Sequence, residues 1–184
     1  MEGAGVAAKE DDYSVLALPP EDVNNRLNDL MKGLRSEFGG PEIVPHITVV
    51  GITRLTKADA LKKFKSACEG LKSYTGQVDS VAKGTSFYEC VFLLFHATPE
   101  MISTADHCNG CFGNKSSTPY MPHLSLLYGD LTDEEKKKAQ EKAKLLDKSI
   151  SSLSFKISRL ALYKTPSGDS SLKSWEKLVE CSLG

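Results

Sequence analysis

Val44-Pro-His46-Ile-Thr48-Val-Val-Gly51 and Met121-Pro-His123-Leu-Ser125-Leu-Leu-Tyr-Gly129 are two versions of one pattern. Each has a proline, then a histidine, then a hydroxyl two residues on, inside an apolar run short enough for a buried strand. Side chains alternate across a strand, so His46 and Thr48 should share one face while Ile47 and Val49 enter the core; His123 and Ser125 repeat this against Leu124 and Leu126. The agreement continues past each strand, to Leu55-Thr56 in one copy and Leu131-Thr132 in the other, each opening a capped helix. Two matching strand–helix units predict a pseudo-two-fold pair of lobes whose polar faces meet in a shared cleft.

The remaining elements follow from periodicity. Tyr13–Leu18 reads as a strand stopped by Pro19-Pro20. Val23, Leu27, Leu30, Met31, Leu34 and Phe38 then make one helical stripe, ended by Gly39-Gly40-Pro41. Ile43 to Gly51 is the strand of the first motif. A second helix starts at Thr56, with Asp59 three residues on as a variant capping box, and carries Leu61, Phe64, Cys68 and Leu71. Gly76 to Phe95 is strand-like with a turn at Gly84, and a short helix follows Pro99. Cys108 to Pro119 reads as a loop, rich in Gly, Asn and Ser. After the second motif, Thr132-Asp-Glu-Glu135 opens a helix to Asp147. Leu153–Tyr163 and Ser174–Ser182 close the chain as two strands around a turn at Pro166-Ser-Gly-Asp169. The predicted organisation is a flexible N-terminus over 1–12 and a single two-lobed domain over 13–184.

Composition narrows the function. The chain has 184 residues and is 40% hydrophobic, enough for a real core. Lys plus Arg number 23 and Asp plus Glu 24, a net charge of -1, so no global field holds polyanions and long nucleic acid is not an expected partner. The lysines around Lys136–Lys138 are interleaved with acids and read as a solvated helix face. The N-terminus lacks the pattern of an export signal, and no apolar run is long enough to span a membrane. Five cysteines, Cys68, Cys90, Cys108, Cys111 and Cys181, are an odd set. They favour mostly free thiols and a cytoplasmic location, with Cys108–Cys111 and Cys68–Cys181 as the pairs that oxidation could join. A monomer is expected.

Two imidazoles and two hydroxyls around one pocket have a specific chemistry. One neutral imidazole can take a proton from water while the other, protonated, gives one to a departing sugar oxygen. The hydroxyls of Thr48 and Ser125 can donate to the non-bridging oxygens of a phosphate. The scheme uses neither cofactor nor metal. His96, ending an apolar strand, and His107, bordering a loop, read as structural. A metal site at His107-Cys108 with Cys111 lacks the second ligand pair that zinc requires. Phe87 and Tyr88 read as core or rim packing, with stacking on a base as the functional alternative.

The tetrapeptides His46-Ile-Thr-Val49 and His123-Leu-Ser-Leu126 resemble the signature of the two-histidine phosphoesterase superfamily. Over about Tyr13 to Cys181, including Thr118-Pro-Tyr-Met-Pro-His-Leu-Ser-Leu-Leu-Tyr128, the chain is similar to the plant cyclic phosphodiesterases. The resemblance implies a bilobal α+β fold, with two antiparallel sheets flanked by helices around a central water-filled cleft. It implies hydrolysis of a small-molecule substrate: ADP-ribose 1″,2″-cyclic phosphate to the 1″-phosphate, and nucleoside 2′,3′-cyclic phosphates to 2′-phosphates. His46 and His123 take the catalytic places, Thr48 and Ser125 the phosphate-binding ones, and Tyr128 a position whose hydroxyl helps to hold the phosphate or its water. Leu16 departs from the aromatic expected there for base stacking. The competing readings are an RNA-end or 2′,5′-oligonucleotide phosphodiesterase on the same histidine pair, and a non-catalytic nucleotide- or RNA-binding module, against which the two complete tetrapeptides argue.

Overall fold

The computed structural model describes residues 9–114 and 120–184. It contains β1 (Glu10–Ala17), α1 (Glu21–Phe38), β2 (Ile47–Thr56), α2 (Lys57–Cys68), β3 (Tyr74–Lys83), β4 (Val91–Phe95) and α3 (Pro99–Cys111), followed by β5 (His123–Leu127), α4 (Asp133–Leu146), β6 (Ser154–Ile157), β7 (Arg159–Lys164) and β8 (Glu176–Ser182). The strands form two four-stranded sheets, ordered β2-β1-β7-β8 and β5-β4-β3-β6, with every pairing antiparallel. The α+β class and the two antiparallel sheets are as expected. Both motif strands, β2 and β5, are edge strands, each paired on one side only. No helix among the described residues is long and apolar enough to cross a membrane.

Several boundaries move. β1 begins at Glu10, so residues 10–12 of the expected flexible N-terminus belong to the sheet; residues 1–8 lie outside the described residues. Asp12 anchors this end by accepting from the Ser167 backbone N–H at 3.0 Å, and Lys164 lies 3.6 Å from Asp11. The loop expected over Cys108–Pro119 starts later, because α3 continues through Cys111; residues 115–119 lie outside the described residues. His107 is therefore inside a helix rather than at a loop border. The single strand expected over Leu153–Tyr163 is two. The chain leaves one sheet after Ile157 and enters the other at Arg159, and the Ser158 carbonyl at the crossing accepts from Leu183 N–H at 2.8 Å.

Local chemistry accounts for the helices. The α1 stripe buries Val23, Leu27, Leu30, Met31 and Leu34, and the helix stops at Gly39 with φ 76°. At α4 the Thr132 hydroxyl accepts from Glu135 N–H and the Glu135 carboxylate from Thr132 N–H, a complete capping box. At α2 only half of that arrangement forms: Thr56 accepts from Asp59 N–H at 3.2 Å.

Two of the helices cross to the sheet that their flanking strands do not belong to. α1 joins two strands of the first sheet but packs on α4 and β5; α3 joins two strands of the second sheet but packs on α2 and β2. This exchange merges the lobes into one continuous core running from Val15 and Val50 to Leu93 and Leu124. Cys68 at the end of α2 is disulfide-bonded to Cys181 on β8, one of the two pairs that the sequence offered, while Cys90, Cys108 and Cys111 are free, so the Cys108–Cys111 pair does not form.

Gly40, on the approach to the first motif, lies against Tyr128, just past the second tetrapeptide. Its φ is +97°, and a Cβ there would meet the Tyr128 carbonyl oxygen at 2.5 Å. Gly39 is also at positive φ but has open space around it. Gly39→Ala should therefore cost only backbone strain, about 1–3 kcal/mol, and Gly40→Ala distinctly more. Each kcal/mol should lower Tm by roughly 2–4 °C for a chain of this size. Equal losses of Tm in the two variants would show that the close approach to Tyr128 carries no weight.

Candidate active site

Each proline–histidine pair builds the same anchor. His46 Nδ1 lies 2.5 Å from the Val44 carbonyl oxygen, and His123 Nδ1 lies 2.9 Å from that of Met121. A carbonyl can only accept, so Nδ1 carries the hydrogen in both rings, and Nε2 is left as the atom available for chemistry. The accepting carbonyl is in each case that of the residue before proline, where the fixed proline φ holds it in place. His123 is the first residue of β5, as expected, whereas His46 sits just before β2 rather than within it. Thr48 and Ser125 fall inside their strands, opposite Leu16 and Phe92.

The two edge strands are brought together, and side chains outside the motifs satisfy carbonyls of β2. Tyr120 donates its hydroxyl to the Thr48 carbonyl at 2.7 Å, and the Asn109 amide of α3 donates to the Val49 carbonyl at 3.0 Å. Tyr120 thus ties the segment entering the second motif to the middle of the first. Burial raises its phenol above the ordinary tyrosine value, so it stays a donor.

The two imidazoles differ in environment. His46 is 5% exposed, while His123 is half-buried, with its ring edge-on to Phe92 at 5.2 Å. Burial pushes His46 down to about 4; the Val44 carbonyl opposes this, and a positive charge on nearby His123 adds to it. At neutral pH His46 is therefore uncharged, with a proton-accepting Nε2.

A cleft of ≈ 460 Å³ is lined by His46, Thr48 and Tyr128 of the expected residues, together with Leu16, Tyr88 and Trp175. His123 and Ser125 are not in its lining. Ser125 is buried, and its hydroxyl is 3.4 Å from the Tyr88 carbonyl. Tyr128 is held protonated, chiefly by burial, with Ser125 hydrogen bonding working in the opposite direction. Tyr88 is 41% exposed and edge-on to Tyr128 at 5.1 Å, so it forms part of the cleft wall; Phe87 packs on the core. Leu16, where the resemblance led to an aromatic, is buried in the cleft wall.

Sequence reasoning missed Trp175, whose ring centroid is 5.7 Å from that of His46. It is the chain's single tryptophan, on a loop held by Asp169, which accepts from the backbone N–H groups of Ser171 at 3.0 Å and Ser174 at 2.9 Å. A lone tryptophan in a serine-rich turn was the available signal. The buried pair Ser14 and Thr165, hydroxyl to hydroxyl at 2.7 Å, also lines the cleft and was missed. Elsewhere, His107 Nε2 lies 3.1 Å from the Ala67 carbonyl and 3.9 Å from Cys111 Sγ. No group of three or more His, Cys, Asp or Glu side chains suited to a metal ion occurs among the described residues.

Residues 14–183 match the family model described as "Cyclic phosphodiesterase-like protein". The cyclic phosphodiesterase of Arabidopsis thaliana is 54% identical over 175 residues, covering 95% of this chain and 97% of that one. The crystal structure of E. coli LigT complexed with 3'-AMP superposes with a TM-score of 0.64 at 14% identity, covering 95% of this chain and 99% of that one. TT0787 of Thermus thermophilus gives 0.63 at 11% identity, over 94% and 97%. At these identities the two bacterial structures establish the shared fold.

Two outcomes test the site's physics. NMR titration of the imidazoles should place the His46 midpoint near 4, against an ordinary value of about 6.5. Because the folded value is depressed, the stability linked to His46 is complete above about pH 6.5 and is lost as pH falls toward 4, which urea unfolding at the two ends of that window would measure. A midpoint for His46 near 6.5 would mean that the ring is solvated. Separately, Tyr120→Phe leaves the Thr48 carbonyl without its donor and should cost about 1–3 kcal/mol in denaturant unfolding; no loss would show that water replaces the hydroxyl.

Proposed function

The chain belongs to the cyclic phosphodiesterase-like protein family, within the two-histidine phosphoesterase superfamily, and we propose that it opens small cyclic phosphates with water using His46 and His123. The substrates in this reading are ADP-ribose 1″,2″-cyclic phosphate, giving the 1″-phosphate, and nucleoside 2′,3′-cyclic phosphates, giving 2′-phosphates. The observation that carries it is the repeated anchor, in which each histidine gives its Nδ1 hydrogen to the carbonyl before its own proline. Two imidazoles held this way, close enough for charge on one to depress the other, suit a proton transfer in and a proton transfer out.

Desolvation favours His46 as the base. Its neutral Nε2 takes a proton from the attacking water, the new P–O bond forms, and the P–O bond to the departing ribose oxygen breaks. His123, more open to solvent, gives its Nε2 proton to that oxygen. The hydroxyls of Thr48, Ser125 and Tyr128 donate to the non-bridging oxygens, where charge builds. Tyr88 and Trp175 supply aromatic walls for the nucleoside. No step requires a metal ion.

Turnover of ADP-ribose 1″,2″-cyclic phosphate and the four nucleoside 2′,3′-cyclic phosphates in EDTA tests the reading. His46→Ala and His123→Ala should each lower kcat by about 10²–10⁴-fold, with smaller losses for Thr48→Ala and Ser125→Ala. An activated aryl phosphodiester, whose leaving group needs no proton, should restore much of the rate in His123→Ala but not in His46→Ala; the reverse would exchange the roles. Folded wild-type protein that turns over none of the cyclic phosphates would redirect the function to oligonucleotides or to binding alone.

A further inference from the structure

A second concavity adjoins the site and has no part in the chemistry above. It lies between α1 and the Ser170–Lys173 turn, has a volume of ≈ 830 Å³ against ≈ 460 Å³ for the histidine cleft, and shares Leu172 with that cleft as a common wall. Val44, whose carbonyl anchors His46, lines it from the other side.

Its chemistry suits an anion with polar ends. Asn24, Asn28 and Arg35 fall on one face of α1, spaced by four and by seven residues, and all three line the groove with Lys173 opposite. Two other cations nearby are paired, Arg26 with Asp147 at 2.6 Å and Lys142 with Glu37 at 2.7 Å. Among the described residues neither Arg35 nor Lys173 has a carboxylate within ion-pair distance, so both can serve a ligand. The asparagine amides offer donors and acceptors, and Glu42, also in the lining, is an acceptor suited to a sugar diol. The dividing wall is held in place: Leu172 is buried at φ 62°, between the two serines that Asp169 holds.

We propose that this groove is a second substrate subsite, taking the diphosphate and distal nucleoside of an ADP-ribose-type cyclic phosphate whose reacting phosphate lies at His46. The inference rests on the proposed phosphodiesterase reading. A nucleoside 2′,3′-cyclic phosphate occupies the histidine cleft alone; a diphosphate-bridged substrate crosses Leu172 and reaches Arg35 and Lys173. Because Val44 borders the groove and anchors His46, binding energy gained there is available to orient the base, and it enters kcat/KM for the longer substrate only.

The test compares kcat/KM for ADP-ribose 1″,2″-cyclic phosphate with that for adenosine 2′,3′-cyclic phosphate, in wild type and in an Arg35→Gln/Lys173→Gln double variant. The ratio should fall by about tenfold or more in the double variant, as expected for losing charge-assisted contacts to a diphosphate. A ratio that stays constant, whether both values fall or neither does, overturns the subsite. Calorimetric titration with ADP-ribose, which carries the diphosphate and no cyclic phosphate, reads the groove even if neither substrate turns over. Binding to wild type that weakens about tenfold in the double variant supports the subsite, and equal or absent binding to both overturns it.

Discussion

Each motif histidine gives its Nδ1 hydrogen to the carbonyl of the residue before its own proline, and the site's arrangement follows from that bond. It closes a short local ring, fixes the tautomer, and turns Nε2 away from the backbone. It also needs a free carbonyl, available because Val44 and Met121 lie ahead of their strands, outside the regular ladder. A proline is tolerated at that same place, since the start of an edge strand asks for no ladder hydrogen bond from it. Proline, histidine and strand start are therefore one device used twice.

Edge strands present unpaired backbone groups, and this protein uses its two motif edges against each other. Tyr120 and Asn109 fill carbonyls of β2, and α3 lies over the same edge. The exchange of α1 and α3 between sheets makes the arrangement stiff, because neither lobe has a complete hydrophobic cover without a helix threaded between strands of the other. A common core then holds the two histidines at a fixed relation, which acid–base chemistry at one phosphorus would require.

The two copies of the device are not equivalent once folded. His46 is buried beside Trp175, with the cleft in front of it, whereas His123 is half-buried against Phe92. The same four-residue pattern therefore yields one ring kept neutral by desolvation and one more open to water. Burial set by surrounding elements produces this asymmetry, and the tetrapeptides themselves carry no trace of it.

What the sequence determined by itself was local. The helix stripes, the glycine stop at Gly39, the capping box at Thr132, the two motif strands and the shared direction of His46 and Thr48 all depend on neighbours a few residues apart, and pattern reading reaches that far. Tertiary structure decided what depends on distant partners. The break at Ser158 was hidden because both halves of Leu153–Tyr163 have strand composition, and only the sheet each joins separates them. The bond between Cys68 and Cys181 could be named as one pairing among others, but a spacing of 113 residues says nothing of proximity. Tyr120 and Trp175 reach the site through a hydroxyl on Thr48 and a ring against His46, contacts across the fold that no periodicity records. Side-chain direction along one strand is written in the order of residues; the distance between two strands is set by what packs around them.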